Sequence, residues 1–289
     1  MSKFVEFDIF GNEVEEDEIL RNPFTWDESS VINTSLGPWQ ERKNAWKAKG
    51  IKSEIGRDAV VITIAAQRKN GKPVLENYVS IFDPTLCEVM YRWLCPSGGK
   101  ILDPFAGGSV RGIVSNYLGF KYTGIDIRQE QIDSNVEQAN EIISGEKPVY
   151  FTGDSNKVLD NIDEKFDFVF SCPPYADLEV YSDLPDDISN MPYHKFIEVY
   201  KSIIKKACSK LSSGAFACFV VGEVRGKDGN YIGFVPDTIK AFTESGMEYV
   251  GEIILINPVA SASMRARTGM KTKKLTKIHQ NILVFRKPE

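Results

Sequence analysis

From Asp83 onward, short apolar runs alternate with longer stretches in which apolar residues recur every three or four positions. The runs near 100–103, 121–126, 148–152, 166–171, 215–221, 248–256 and 280–286 predict strands. The periodic stretches near 85–95, 109–119, 129–143, 155–161, 192–211 and 236–245 predict helices. Strands that read as continuous apolar runs are buried on both faces, as in a parallel sheet covered by helices. The expected architecture is therefore α/β, a doubly wound sheet of seven strands. Residues 1–80 lack this rhythm and are expected to form an N-terminal extension, a recognition or packing element set before a domain at 81–289. Within it, Trp39 and Trp46 lie seven apart on a predicted helix, and Ala59–Ala66 and Tyr78–Phe82 bracket Asn70-Gly71 as a hairpin-like pair. The acidic stretch Glu13–Glu18 reads as solvated surface.

The polar chemistry sits at strand ends, where ligands of open α/β sheets bind. The run at 166–171 closes in Ser171, Cys172, Pro173, Pro174 and Tyr175. Two prolines can continue neither a strand nor a helix interior, so they fix a stiff loop exposing carbonyls and one aromatic ring. An ordinary Pro-Pro turn would read the same way. The run at 100–103 ends in Asp103, Pro104 and Phe105, then Ala106, Gly107, Gly108 and Ser109, before a helix. Glycines there let the backbone approach a cofactor. The next strand ends in Asp126, 23 residues after Asp103, and the third ends in Asp154. An acid after the second strand is the position that binds ribose hydroxyls in dinucleotide folds. Asp83, Pro84 and Thr85 open the first helix, as a plain cap or as an anion site at a helix N-terminus.

Together these residues resemble the S-adenosylmethionine-dependent DNA amino-methyltransferases, which modify adenine N6 or cytosine N4. In that family a D-P-F-x-G-x-G motif binds the cofactor and an (N/D/S)-P-P-(Y/F) motif holds the base. The likeness runs from near Asp83 to the last strand, Lys277–Arg286, and is greatest to single-chain enzymes of phages and mobile elements. It implies a class I methyltransferase, Rossmann-like sheet whose last strand is antiparallel. It also implies S-adenosylmethionine bound by Asp83, Thr85, Asp103, Phe105, Gly107, Gly108, Ser109, Asp126 and Asp154, with catalysis around Ser171–Tyr175. The sulfonium carries its own activation, so no metal is expected. A base amine has its lone pair delocalised into the ring, and so needs acceptors for its hydrogens and alignment with the methyl group. The Pro173 carbonyl can accept one hydrogen and Tyr175 can stack on a base that has left the duplex.

Two departures matter. The G-x-G turn becomes Gly107-Gly108-Ser109, and the acceptor before the prolines becomes Cys172. A thiol is a weak acceptor. Either the backbone or Ser171 substitutes, or Cys172 is a nucleophile of a pyrimidine C5-methyltransferase, or it is a small residue filling a strand end. An RNA-directed enzyme and a catalytically silent nucleic-acid-binding module are further alternatives, since fold does not fix function.

A net charge of −5 means that contact with DNA must use local basic patches. From Ile253 to Pro288 there is no acid, while Arg265, Arg267, Lys271, Lys273, Lys274 and Lys277 crowd one predicted loop. Such a loop can hold phosphates. Arg42 and Lys43, with Trp46, form a second candidate surface. The acidic run Asp177, Glu179, Asp183, Asp186 and Asp187 with Tyr181 reads as a lid or a solvated loop, and His194 and His279 read as surface and structural residues. The five cysteines include no CxxC pair and read as reduced thiols. The opening residues show no signal-peptide pattern and no run approaches a membrane span, so an intracellular protein is expected, as monomer or dimer.

Overall fold

A computed structural model describes residues 6–7, 13–14, 30–51, 68–69, 72–73, 82–175, 184, 186–226, 228–256 and 262–289. In chain order the elements begin with β1 (Glu6–Phe7), β2 (Glu13–Val14), β3 (Val31–Asn33), α1 (Gly37–Ala48), β4 (Arg68–Lys69) and β5 (Lys72–Pro73). Then follow α2 (Pro84–Leu94), β6 (Lys100–Asp103), α3 (Val110–Tyr117), β7 (Lys121–Asp126), α4 (Gln129–Ile142), β8 (Val149–Thr152) and α5 (Ser155–Val158). The rest are β9 (Phe166–Ser171), α6 (Tyr193–Lys210), β10 (Leu211–Val221), α7 (Phe234–Glu244), β11 (Glu248–Ile256), α8 (Ala262–Lys271) and β12 (His279–Arg286).

The main sheet has eight strands in the order β3-β11-β12-β10-β9-β6-β7-β8. Only β12 runs against its neighbours, antiparallel to both β10 and β11. The seven predicted strands are all present. The eighth, β3, comes from the N-terminal stretch and pairs in parallel with the end of β11, Val31 opposite Ile254. Three residues are too few to show a periodic pattern, and their pairing partner lies more than 200 residues away, so nothing local announces this strand. The predicted 59–66 strand and most of 78–82 lie outside the described residues, while Asn70-Gly71 falls between the paired β4 and β5.

Strand alternation explains the continuous apolar runs. In β9, Phe168 and Phe170 face a cluster with α1 and α2, while Val169 faces one built on α6 and α7. In β10, Cys218 and Val220 take the first face and Ala217, Phe219 and Val221 the second. Both faces are dry, as a sheet between two helix layers requires. α2 starts where Pro84 supplies a preset φ and the Asp83 side chain accepts from Thr85 N at 3.0 Å.

α1 is docked on this core. Trp46 is fully buried, and its indole Nε1 donates to Glu88 Oε2 at 2.8 Å. Arg42 meets the same buried carboxylate with Nε at 3.0 Å and with Nη2, and Arg92 Nε adds a contact at 3.2 Å. Lys43 Nζ and Trp39 Nε1 both donate to Asp83 Oδ2. Arg42 and Trp46 thus direct donors to the buried Glu88, and Lys43 to Asp83, so these three candidates for a nucleic-acid surface also hold α1 on the core.

All five cysteines are thiols rather than disulfides. Burial pushes Cys95 and Cys208 up to about 12. Among the described residues, no helix is long and apolar enough to cross a membrane.

Candidate active site at the sheet's carboxyl edge

The strand order reverses between β6 and β9, so a crevice opens beyond their carboxyl ends. The two loops expected to hold cofactor and substrate leave these two neighbouring strands. One residue joins them. Asp103 is fully buried; its Oδ1 accepts from Ser171 Oγ at 2.5 Å and from Phe105 N at 3.1 Å. Its Oδ2 accepts from Arg111 Nε at 2.5 Å and Tyr122 Oη at 2.6 Å. Arg111 also donates to the carbonyls of Phe105 and Ala106 at 2.7 and 2.8 Å. Asp103 therefore ties β6, β7, β9 and α3 together and fixes the turn at 104–106. Ser171, whose hydroxyl faces Asp103, is held in the same network.

The glycine turn is closed from the other side. Gly107 has φ of 51°, the left-handed region that favours glycine, and its N–H donates to Asp126 Oδ2 at 2.9 Å. Asp126 Oδ1 accepts from Arg128 N at 2.9 Å. The Gly107 carbonyl accepts from Asn135 Nδ2 at 2.7 Å, and Ser109 Oγ donates to Gln138 at 3.1 Å. Ser109 is fully buried, so it braces the turn from within, while Gly108 and Phe105 are half-buried at the crevice. Ala106 reaches β7 because Gly124 has no side chain; a Cβ there would stand 2.9 Å from that of Ala106. Asp154 caps α5, accepting from Asn156 N at 2.9 Å, with Lys157 Nζ at 3.5 Å. Ser155 Oγ donates to the Pro104 carbonyl at 2.5 Å, so α5 also grips the turn. Thr85 is fully buried, and its Oγ1 has no partner among the described residues.

On the β9 side, Pro173 is buried, and Cys172, Pro174 and Tyr175 are half-buried. The Tyr175 hydroxyl accepts from Gln280 Nε2 at 2.7 Å, and its ring meets Phe234 edge-on at 5.9 Å. These contacts fix the ring without burying it. Glu223, two residues past β10, accepts from Val235 N through Oε1 at 3.0 Å. Its Oε2 is buried with no partner among the described residues. Sequence reasoning missed Glu223, although Val220-Val221-Gly222-Glu223 shows the same signature of an apolar run ending in an acid. Gln280 and Arg225 carry no such signal.

The basic segment expected as a loop is partly helical, forming α8 and a turn at 272–274 in which Lys273 takes a left-handed φ of 57°. Arg267, Lys271, Lys273 and Lys274 are exposed; the Arg265 side chain is not among those described. Arg225 Nη2 donates to the Leu275 carbonyl at 2.8 Å and Nη1 to the Gly229 carbonyl at 2.7 Å, binding this segment to the loop after β10. Of the acidic run, Asp186 accepts from Lys157 at 2.6 Å and Asp187 caps a short turn; Asp177, Glu179, Tyr181 and Asp183 lie outside the described residues. His194 is exposed and His279 begins β12, where burial and Lys277 lower its pKa below the ordinary 6.5. Among the described residues no group of His, Cys, Asp and Glu is arranged to hold a metal ion.

No protein-family model matches the chain, and no curated protein matches it in sequence. Among solved structures, TrmN from Thermus thermophilus aligns with a TM-score of 0.47 at 12% identity, over 71% of this chain and 49% of that one. The chain thus spans about half the length of that protein. Magnesium protoporphyrin IX methyltransferase from Synechocystis PCC 6803 aligns with a TM-score of 0.40 at 14% identity, over 66% of this chain and 71% of the other. A candidate DNA modification methylase, also from Thermus thermophilus, aligns with a TM-score of 0.36 at 19% identity, over 47% of this chain and 51% of the other. These likenesses are weak, and fold does not fix function. The strand order itself carries the assignment: with its single reversed strand, it is the class I methyltransferase sheet with one additional strand at its edge.

Proposed function

We propose that this chain transfers a methyl group from S-adenosylmethionine to the exocyclic amine of adenine (N6) or cytosine (N4) in DNA. The observation that carries the reading is the joining of the glycine turn and the Pro-Pro-Tyr loop through Asp103 and Ser171 at the reversal of strand order. Such an arrangement brings a cofactor loop and a flat-substrate loop to one crevice.

The residues fit this cofactor. Gly107 leaves the turn without a Cβ, Asp126 keeps a partly exposed carboxylate, and Thr85 holds a buried hydroxyl that lacks a partner among the described residues at a helix start. In this reading Asp126 accepts from the ribose hydroxyls, Asp154 lies by the adenine amine, and the start of α2 receives the carboxylate end. When bound, the cofactor supplies an electrophilic methyl group that needs no metal. The protein's work is then positioning and exclusion of water. Tyr175, held by Gln280 and Phe234, offers a face on which a base can stack. The Pro173 carbonyl can accept a hydrogen of the amine, favouring pyramidal nitrogen as the methyl arrives. A base within a duplex cannot reach this crevice and must be extruded, with the exposed lysines at 271–274 on the phosphates.

The test is incubation with labelled S-adenosylmethionine and DNA, followed by nucleoside mass spectrometry. N6-methyladenine or N4-methylcytosine is the expected product. 5-Methylcytosine would establish Cys172 chemistry instead, label found only in RNA would move the substrate, and no label in either would leave a binding module.

A further inference from the structure

We infer that the Glu223 carboxylate is the side-chain acceptor for the substrate's amino group, a role for which Cys172 is poorly suited. This rests on the function proposed above and adds a residue to it. The amine needs an acceptor beside the proline carbonyl. Ser171 is fully buried and turned onto Asp103, and a thiol accepts weakly. The strand beside β9 offers a replacement. Phe219 of β10 pairs with Ser171 of β9, so Glu223 and Tyr175 each stand four residues beyond the same pair. Both converge on the start of α7: Tyr175 packs on Phe234, and Glu223 Oε1 takes the N–H of Val235 at 3.0 Å. Gly222, next to Glu223, lies beside the ring: a Cβ there would stand in ordinary contact, 3.8 Å from the Tyr175 hydroxyl.

Among the described residues, only one of the two carboxylate oxygens is used. A carboxylate oxygen buried without a donor is costly, and such a group in a folded protein calls for an explanation. A ligand donor supplies one. Tyr193 donates its hydroxyl hydrogen to Asp237 at 2.6 Å and so offers none to Glu223. Lys277 lies within electrostatic reach but donates to Asn281 Oδ1 at 2.7 Å. An N–H of a planar amine beside the Tyr175 ring would complete the second oxygen.

Glu223→Gln keeps an oxygen for Val235 N–H and can present an NH2 where the unpartnered oxygen stands. Measured with labelled cofactor and mixed-sequence single-stranded oligonucleotides, its kcat should fall about a hundredfold, as when one preorganised hydrogen-bonding partner is removed. Calorimetric affinity for S-adenosylmethionine and the melting temperature should stay at wild-type values. Glu223→Ala is the second variant, with the same expectation for kcat and cofactor affinity. Wild-type kcat in either variant overturns the assignment, and so does loss of folding or of cofactor binding in both, which would make Glu223 structural. If the wild-type protein yields no N-methylated base, the proposed function fails and Glu223 falls with it; if it does and Glu223→Gln matches it, Glu223 alone fails.

Discussion

Replacing Asp103 by Asn removes one charge from a carboxylate that receives donors from Phe105, Ser171, Arg111 and Tyr122. Each oxygen takes two of them. An amide retains one acceptor oxygen and sets an NH2 against the other pair of donors, so one side of the hub becomes repulsive. Arg111 is buried, and its remaining bonds to the Phe105 and Ala106 carbonyls do not neutralise it. Removing one partner of a buried ion pair costs about 3–5 kcal/mol. Urea unfolding at neutral pH should show that loss as an earlier midpoint at constant m. Arg111→Met combined with Asp103→Asn removes both charges. The double variant should be less destabilised than the two single effects added together, by about 0.5–3 kcal/mol, as for coupled neighbours. The reasoning is refuted if Asp103→Asn lies within about 1 kcal/mol of wild type, below the range for a broken buried pair, or if the effects simply add. A stable Asp103→Asn protein with collapsed cofactor affinity would instead make Asp103 a direct cofactor contact.

Asp126→Ala should weaken S-adenosylmethionine binding by about 1.5–3 kcal/mol, the range for charged hydrogen bonds; calorimetry on a folded variant checks it, and unchanged affinity removes Asp126 from the site. Cys172→Ser should keep measurable methyl transfer, whereas abolished activity together with a covalent adduct of wild-type protein on 5-fluorocytosine DNA would establish a nucleophile. Neutralising Lys271, Lys273 and Lys274 together should weaken DNA binding for all sequences alike and reduce the slope of log affinity against log salt, by roughly one unit for each phosphate no longer neutralised; a wild-type salt dependence would show that DNA enters elsewhere. Burial, with the Asp167 charge added, raises Cys95 from the ordinary 9.0 to about 12. Above the lower value the unfolded chain releases a proton that the folded chain keeps, so stability falls as pH rises, by about 1.4 kcal/mol per unit for this group. Cys95→Ala should flatten the pH dependence of urea unfolding in that range, and an unaltered slope would refute the assignment.

What the chain displays in its own pattern is the central sheet. Apolar runs mark β6 to β12, and the acids Asp103, Asp126 and Asp154 sit where three of those runs stop. Their individual partners are another matter. Nothing in the local sequence says that Asp103 faces Arg111, Tyr122 and Ser171 while Asp126 faces a backbone N–H, because strand pairing, the packing of α3 and the glycine turn bring those partners in. The same holds for Arg42, Lys43 and Trp46. Basic residues beside a tryptophan read as a surface for phosphates, and their contacts to Glu88 and Asp83, 40 or more residues away, are not written locally. α8 reads as loop because its few apolar residues, two Ala and two Met among ten, are interrupted by Arg265, Arg267, Thr268 and Gly269. The segment after it is tied to the loop after β10 by Arg225, which donates to the Leu275 carbonyl.

The short pairing of Val31–Asn33 with β11 has a consequence for how this polypeptide can be trimmed. A chain shortened to start after residue 51 would lose β3 and α1 together. The end of β11 would become an open row of unpaired amides and carbonyls, the kind of template on which chains stick to one another. Tyr249 and Val250 already stand exposed on the same strand, which would give such stacking an apolar face. Of its partners among the described residues, Glu88 would keep Arg92 alone, leaving a carboxylate in a newly opened hole. Solubility and self-association are therefore the properties that loss of β3 and α1 is expected to change.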